Sequence, residues 1–182
     1  MTIPNFISII RIILTPVFII YLINDEFFSA LVVFILAGLT DAADGLIARL
    51  FDQKSELGVY LDPLADKILL IAAFITLSVL GLIPSWLTVI VITRDILILL
   101  GVLIFLLNKT DFTMKPFFLS KITTCLQLGS VFLVLSKDYF PLFLKINDPV
   151  FWVTGFFTIT SGLLYLRYWV RRADEGPIGG GI

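Results

Sequence analysis

The sequence predicts an all-α integral membrane protein, a bundle of six transmembrane helices with both termini on the cytoplasmic side. Two observations favour this fold class. Hydrophobic residues make up 59% of the 182 residues and charged residues only 15%, and the mean hydropathy is +1.05. A soluble domain averages about 45–50% apolar and about 25% charged residues. A water-soluble fold of this size could not bury that much apolar surface, so a lipid bilayer is the expected surrounding.

Six apolar segments are long enough to cross a membrane, since a span needs about 20 mostly apolar residues. Together they occupy nearly the whole chain, which leaves no room for a soluble module. We therefore expect residues 1–175 to form one six-helix membrane domain and residues 176–182 to form a flexible Gly-rich tail. The predicted spans are residues 5–23, 27–50, 60–82, 85–107, 117–135 and 149–168.

The loops differ in charge on the two sides of the predicted bundle. The loops after the second and fourth spans and the C-terminal end carry basic residues, whereas the loops after the first and third spans carry none. The loop after the fifth span has two lysines together with two aspartates. By the positive-inside rule, the side shared by the even loops faces the cytoplasm. Because the number of spans is even, both termini are expected on that side.

The composition excludes several classes of function. The chain has no histidine and a single cysteine, Cys125. Histidine-based acid–base chemistry, His or Cys metal clusters and an intramolecular disulfide are therefore excluded. The net charge of −1 does not indicate nucleic-acid binding, which normally requires a basic domain. Any chemistry must use carboxylates, amines, guanidinium groups, hydroxyls or the backbone.

Four aspartates lie inside the predicted spans, where ionisable groups are costly and usually functional. Asp41 and Asp44 are three residues apart and Asp62 and Asp66 are four apart, so each pair shares one face of a helix. A loop centred on Gly58 is expected to fold the third span back beside the second, which points all four carboxylates into one cavity. They cannot all ionise there without a cation. All-oxygen ligands suit Mg²⁺, Mn²⁺ or Ca²⁺, and two pairs could hold two ions.

Helix packing or ion transport could also account for acids inside the spans. The carboxylates could pair with Lys67, Arg94 and Lys121 and serve only helix packing, but four aspartates at helical spacing beside small residues disfavour this. A small cation or proton transporter would also use intramembrane acids. A transporter would spread the acids over the depth of the membrane, whereas here they lie close together at one depth.

The segment from Asp41 to Asp66 reads Asp-x2-Asp-Gly-x2-Ala-Arg-x8-Gly-x3-Asp-x3-Asp. It resembles the signature of the CDP-alcohol phosphotransferases at all eight fixed positions, which extend over 26 residues. The resemblance also covers the six-span architecture and the opening residues 3–11, and so most of the chain. Residues 62–67 further resemble the branch of the family that uses CDP-diacylglycerol.

The resemblance implies transfer of a phosphatidyl group from CDP-diacylglycerol to the hydroxyl of a second alcohol, with release of CMP. It also implies a homodimer that needs Mg²⁺ or Mn²⁺, and the two aspartate pairs offer room for two ions. Asp66 would be a metal ligand or the general base for the acceptor hydroxyl. The implied metal ligands are Asp41, Asp44, Asp62 and Asp66, and the implied CDP-binding residues are Asp44, Gly45, Ala48, Arg49 and Gly58.

The acceptor is left open between glycerol-3-phosphate and phosphatidylglycerol. A dianionic phosphate needs several basic groups, and the candidates to bind it are Arg94, Lys121 and Lys115. Family members that use glycerol-3-phosphate usually have a lysine where this chain has Thr123, and more arginine in the fourth span. Glycerol-3-phosphate is nevertheless favoured, because it is the commoner acceptor among bacterial-type members of this size. Arg94 could instead pair with Asp95.

The expected location is a bacterial inner membrane, with the site facing the cytoplasm.

Overall fold

The computed structural model describes the backbone of residues 3–51, 58–107, 118–139 and 141–174, and the side chains of residues 10–40, 67–101, 118–139 and 147–170. The described backbone is all-helical, as predicted, with six α-helices and no strand. The helices are α1 (Ile3–Ile23), α2 (Phe27–Phe51), α3 (Gly58–Val79), α4 (Ser85–Leu107), α5 (Phe118–Leu135) and α6 (Pro141–Asp174). The predicted tail lies outside the described residues.

Helix α6 differs most from its prediction. It contains 34 residues, begins at Pro141 and continues to Asp174, with Pro149 inside it. Within the part of α6 whose side chains are described, the segment Asn147–Val170 has the apolar character of a membrane span. The prediction followed apolarity, which marks the part of a helix that suits lipid. The helix itself continues into more polar sequence at both ends, because backbone hydrogen bonding does not require apolar side chains.

Helix α3 ends at Val79, three residues before the predicted end, because the chain turns at Gly81. Gly81 adopts a φ of 72°. Its N–H donates to the Ser78 carbonyl (3.0 Å), and the Leu82 N–H donates to the Leu77 carbonyl (2.9 Å). These two bonds form a Schellman motif, which satisfies the last carbonyls of a helix and requires a left-handed residue.

Helix α1 ends in the same way, with an aspartate in the left-handed position. Asp25 adopts a φ of 58°. Its N–H donates to the Leu22 carbonyl (3.2 Å), and the Glu26 N–H donates to the Tyr21 carbonyl (2.9 Å). The short Asn24–Glu26 connection to α2 is therefore closed by backbone hydrogen bonds.

Replacing Gly81 with alanine is expected to destabilise the protein by about 1 kcal/mol, because a left-handed L-residue costs roughly 1–2 kcal/mol. A methyl group at this position would meet no atom within 4 Å, so the effect is one of backbone conformation alone. The change is measured as a lower midpoint of thermal unfolding of the detergent-solubilised protein. Gly81→Asn is the control, since asparagine tolerates this conformation. Equal midpoints for the two variants would contradict the prediction.

The helices pack as two groups of three. In the first group α1 lies along both α2 and α3, and in the second α6 lies along both α4 and α5. Contacts of α3 with α4 and of α2 with α5 join the groups. The phenyl rings of Phe18 and Phe34 have centroids 5.9 Å apart. The apolar core includes Phe18, Leu22, Ala30, Phe34, Ala37, Leu70, Ala73, Phe74, Leu77, Leu87, Val91, Val131, Val134 and Leu135.

Compared with a protein in water, this bundle exposes large apolar side chains and buries charged ones. Large apolar side chains are exposed, among them Val79 (81%), Phe118 (78%) and Trp152 (68%). Charged side chains are buried, with Arg94 at 4% and Asp95 at 1% exposure. In water this distribution would be unfavourable. In lipid it is favourable, because the bilayer solvates apolar side chains while polar groups bond to one another inside.

Among the helices with described side chains, two segments are long and apolar enough to cross a membrane, Phe118–Leu135 and Asn147–Val170. The described parts of three other helices are also apolar but shorter: Ile10–Ile23, Phe27–Thr40 and Lys67–Val79.

Aromatic rings gather near the starts of α2 and α4. The Phe28 and Tyr139 rings lie 5.4 Å apart, and the ammonium group of Lys137 lies 3.8 Å from the centre of the Phe27 ring. At the start of α4, the Trp86 ring lies 4.8 Å from a tryptophan ring of α6. Aromatic and basic side chains at helix ends are typical of the boundary between lipid and water.

Candidate active site

The four aspartates lie on two helices of the same three-helix group. Asp41 and Asp44 are in the second half of α2, and Asp62 and Asp66 are in the first half of α3. Both segments are helical, so each pair lies on one face of its helix, as the spacing predicts. The predicted loop centred on Gly58 is wrong in its position. Gly58 begins α3, so the connection falls at residues 52–57, which lie outside the described residues.

The chemistry of the aspartate pairs fits a divalent metal ion. Their side chains lie outside the described set, so the fit rests on ligand type and on helical spacing. Four carboxylates offer only oxygen ligands, which suit Mg²⁺ or Mn²⁺ better than zinc or copper. Where side chains are described, no three acidic or thiol groups come together as a metal site.

The predicted nucleotide-binding residues share these helices. Gly45, Ala48 and Arg49 lie in the last turns of α2, between the aspartates and the end of the helix at Phe51. Their side chains are also outside the described set. They stay predictions, and so does Lys115, which lies in the segment 108–117 outside the description.

A cluster of three charges, in which Arg94 and Asp95 are buried and Lys67 is partly exposed, joins α3 to α4 directly after Asp66. Lys67 donates from Nζ to Oδ2 of Asp95 (2.8 Å), and Arg94 donates from Nη1 to Oδ1 of the same carboxylate (2.7 Å). Asp95 is 1% exposed. One carboxylate therefore bridges two cations, and the cluster as a whole carries one positive charge. The bridge connects the residue next to Asp66 with the middle of α4.

Arg94 also binds the other two helices of its own group, α5 and α6. Its Nη2 donates to the hydroxyl of Ser120 on α5 and to that of Ser161 on α6 (3.1 Å). The guanidinium carbon lies 6.0 Å from the centre of the Tyr165 ring. A methyl group at Gly162 would lie 3.6 Å from Cγ of Arg94, so α6 passes close to this side chain. Arg94 is thus the point at which α4, α5 and α6 meet.

The candidates for acceptor binding have different surroundings. Arg94 makes the pair with Asp95 that the sequence left open, and its buried Nε has no acceptor among the described residues. Lys121 follows Ser120 at the start of α5 and is exposed. Thr123 is fully buried and donates to the carbonyls of α5 and α6, so its hydroxyl serves helix contact.

The sequence did not reveal the hydroxyl partners of Arg94 or the bond between Lys67 and Asp95. The sequence did contain a pattern that could have indicated the hydroxyl partners. Polar residues recur every three or four positions in α5 and α6, which places them on one face of each apolar helix. These residues are Ser120, Thr123, Gln127 and Ser130 on α5, and Thr154, Thr158 and Ser161 on α6.

An apolar groove of about 300 Å³ opens between α2, α3 and α5. At Gly38 and Gly129 an added methyl group would meet no atom within 4 Å, so the glycines leave open space in its wall. Gly38 precedes Asp41 by three residues, and Leu69 follows Asp66 by three, so the groove begins about one helical turn from the aspartates. It is lined by Phe34, Ile35, Gly38, Leu69, Leu128, Gly129 and Phe132.

The helical bundle and the two aspartate pairs together define an all-α protein with a candidate divalent-metal site. The family model of the CDP-alcohol phosphatidyltransferases matches residues 1–160, and the chain belongs to this family. Proteins of this family are membrane-bound. The resemblance seen in the aspartate signature is thereby confirmed.

Similar proteins carry two different names. The chain is 39% identical over 184 residues to "Cardiolipin synthase (CMP-forming)" of Rattus norvegicus and of Homo sapiens, with 92% of this chain and 61% of each relative covered. It is 33% identical over 183 residues to the CDP-diacylglycerol–glycerol-3-phosphate 3-phosphatidyltransferase of Bacillus subtilis, with 89% of this chain and 92% of that protein covered. The chain thus spans about three fifths of the length of the mammalian relatives.

Proposed function

We propose that the protein is a membrane phosphatidyltransferase that moves the phosphatidyl group of CDP-diacylglycerol to the hydroxyl of a glycerol-type acceptor and releases CMP. The observation that carries this proposal is the eight-position aspartate signature, whose two pairs lie on α2 and α3 of a chain in this family. Phosphatidyl transfer of this kind belongs to the synthesis of anionic phospholipids.

The four aspartates would have different roles in a single displacement reaction at phosphorus. Asp41, Asp44 and Asp62 would hold one or two Mg²⁺ or Mn²⁺ ions, with Asp66 as a further ligand or as the base. The chemistry that a bound divalent ion supplies is neutralisation of the negative charge on the leaving CMP. The carboxylate of Asp66 accepts the proton of the acceptor hydroxyl as its oxygen bonds to phosphorus and the bond from phosphorus to CMP breaks.

The nucleotide would lie over the end of α2. Gly45 and Ala48 have small side chains, which leave room for the CDP group close to the helix. Arg49 would pair with phosphate, and Gly58 begins helix α3. Asp44 would contact both the metal and the nucleotide. This arrangement puts the pyrophosphate near the aspartates and the lipid part of the donor further along the helices.

The proposed setting is a bacterial inner membrane, crossed by all six helices of one domain (residues 1–175), with the site and both termini facing the cytoplasm. The exposed apolar side chains and the aromatic rings at helix ends support a membrane position. The charge bias of the loops supports the orientation. A homodimer is proposed from the family resemblance alone.

One acyl chain of the donor is proposed to occupy the apolar groove between α2, α3 and α5. The groove is lined by apolar side chains and two glycines, and it begins about one turn from the aspartates that would hold the pyrophosphate. A chain leaving the glycerol of CDP-diacylglycerol would enter the groove from that end.

Filling the groove with Gly129→Leu is expected to lower kcat/KM for a long-chain donor by about 10- to 100-fold, since each displaced methylene is worth about 0.8 kcal/mol. A CDP-diacylglycerol with very short acyl chains should be used almost as well as by the unchanged protein. Gly129→Ala is the matched control, because a methyl group at this position meets no atom within 4 Å. An equal loss with both donors, or no loss with either, would contradict the groove assignment.

For the acceptor, phosphatidylglycerol has the stronger support. Its phosphodiester carries one negative charge, whereas glycerol-3-phosphate carries a dianion that needs more basic groups. Arg94 already donates hydrogen bonds to Asp95 and to two hydroxyl groups. Proteins that use glycerol-3-phosphate usually have a second lysine at position 123, whereas this chain has a threonine whose hydroxyl donates to a backbone carbonyl. The relatives at 39% identity are named cardiolipin synthases.

Glycerol-3-phosphate, favoured at the level of sequence because it is the commoner acceptor among bacterial-type members of this size, is the second candidate. The Bacillus subtilis relative supports it, because that protein is matched over 92% of its length and its name specifies this acceptor. Arg94, Lys121 and Lys115 stay the proposed acceptor-binding residues for either molecule.

The deciding experiment is an acceptor assay on the purified full chain in mixed micelles. CDP-diacylglycerol and Mn²⁺ or Mg²⁺ are supplied, and CMP release is followed with phosphatidylglycerol, glycerol-3-phosphate, inositol-1-phosphate or serine in turn. We expect release with phosphatidylglycerol and its loss in Asp41→Asn. Release with glycerol-3-phosphate alone would establish the second candidate. If the unchanged protein released no more CMP than Asp41→Asn with every acceptor, the proposed function would be refuted.

A further inference from the structure

The contact between α5 and α6 is polar along most of its length, and we name it the α5–α6 seam. Its side chains bond across the helices: the hydroxyls of Ser130 and Thr154 lie 2.9 Å apart, and Nε2 of Gln127 donates to Thr158 (3.4 Å). These two helices contain the described segments that are apolar and long enough to cross a membrane. The seam consists of Thr123, Gln127, Ser130, Thr154, Thr158 and Ser161, none more than 1% exposed.

The hydrogen bonds around Gln127 determine which way its amide points. Thr158 donates its single hydroxyl hydrogen to the Thr154 carbonyl (2.7 Å), so its oxygen can only accept from Gln127. The –NH₂ of Gln127 therefore faces Thr158, and Oε1 faces the other way.

The neighbouring seam hydroxyls already donate their hydrogens to other acceptors. Ser130 donates to the Leu126 carbonyl (2.8 Å), so the hydrogen between Ser130 and Thr154 must come from Thr154. Thr123 donates to the carbonyls of Leu119 and Phe157, as described above. These hydroxyls can still accept hydrogen bonds, but they have no hydrogen left to donate.

Oε1 of Gln127 is consequently a buried acceptor without a donor among the described residues. Leaving an amide oxygen in this state is unfavourable, and more so in the low dielectric of a membrane bundle. Water supplies two hydrogens and fits sites that offer two to four polar partners. Here Oε1 would accept one hydrogen, and a neighbouring seam hydroxyl oxygen would accept the other.

We infer that the α5–α6 seam binds an internal water molecule that donates a hydrogen bond to Oε1 of Gln127. The seam adjoins the ion cluster, since Ser161 lies three residues after Thr158 on α6, about 4.5 Å along the helix, and accepts from Arg94. This inference goes beyond the proposed function and does not depend on it.

The test is a structure of the full chain in lipid at a resolution that shows ordered water. We expect a water oxygen about 2.7–3.2 Å from Oε1 of Gln127, with a second polar contact inside the seam. It should be lost in Gln127→Met and kept in Cys125→Ala, because Cys125 is exposed on the same helix. A protein donor on Oε1, or an Oε1 with no partner at that resolution, would overturn the inference.

A second measurement covers the case in which Gln127→Met does not fold. Solid-state NMR of the unchanged protein in lipid can follow magnetisation transfer from water to the side-chain amide protons of Gln127. A bound water predicts a clear transfer peak for this amide. A dry seam predicts none, and that result would also refute the inference.

Discussion

Asp66→Asn is expected to lower the turnover of phosphatidyl transfer by a factor of about 10²–10⁴, the usual contribution of a general base. Asparagine has nearly the same volume as aspartate, but its amide cannot accept the proton of the acceptor hydroxyl. The change lies in helix α3, and asparagine has nearly the same helix propensity as aspartate, so the bundle should keep its fold. CMP release at saturating substrates gives the turnover, and circular dichroism gives the helix content.

The matched control is Asp138→Asn in the connection between α5 and α6. Asp138 is exposed and its connection is distant in sequence from the aspartate pairs, so the control should keep full turnover. Full turnover in Asp66→Asn as well would refute the role of this residue as a base. A loss that excess Mn²⁺ restores would instead identify Asp66 as a metal ligand only.

Asp95→Leu is expected to reduce the free energy of unfolding by about 3–5 kcal/mol, the range measured when one partner of a buried ion pair is removed. Asp95 is 1% exposed and accepts hydrogen bonds from both Lys67 (2.8 Å) and Arg94 (2.7 Å). Without the carboxylate, two cations lie close together inside the bundle and repel each other. Unfolding of the detergent-solubilised protein by denaturant measures the loss.

Two further variants separate charge from packing. Asp138→Leu alters an exposed aspartate and should change stability by less than about 0.5 kcal/mol. The triple variant Lys67→Met, Arg94→Met and Asp95→Leu removes the whole cluster and should recover much of the stability, because apolar replacement of a buried ion pair is often neutral. It should not recover turnover if Arg94 binds the acceptor. A cost for Asp95→Leu no greater than that for Asp138→Leu would contradict the prediction.

Local sequence was enough to predict the helices and the helix faces that carry the aspartates. The ends of α1, α2, α4 and α5 follow the limits of apolar runs, because a lipid-facing helix needs such a run. The spacing of Asp41 with Asp44 and of Asp62 with Asp66 depends only on helical periodicity, which the structure confirms. Helix ends were harder to predict where a backbone motif determines the end, as at Gly81, or where the helix continues beyond its apolar part, as in α6.

The amino-acid sequence by itself determined the class of fold, the family and the residues of the aspartate signature, because all three depend on composition and on short-range spacing. Only the tertiary structure decided the partners of the buried charges. Lys67 and Asp95 are 28 residues apart, and Arg94 and Ser161 are 67 apart. Such contacts depend on which helices pack together and in which rotation. No local pattern specifies this, because apolar helices can pack in several arrangements of similar energy.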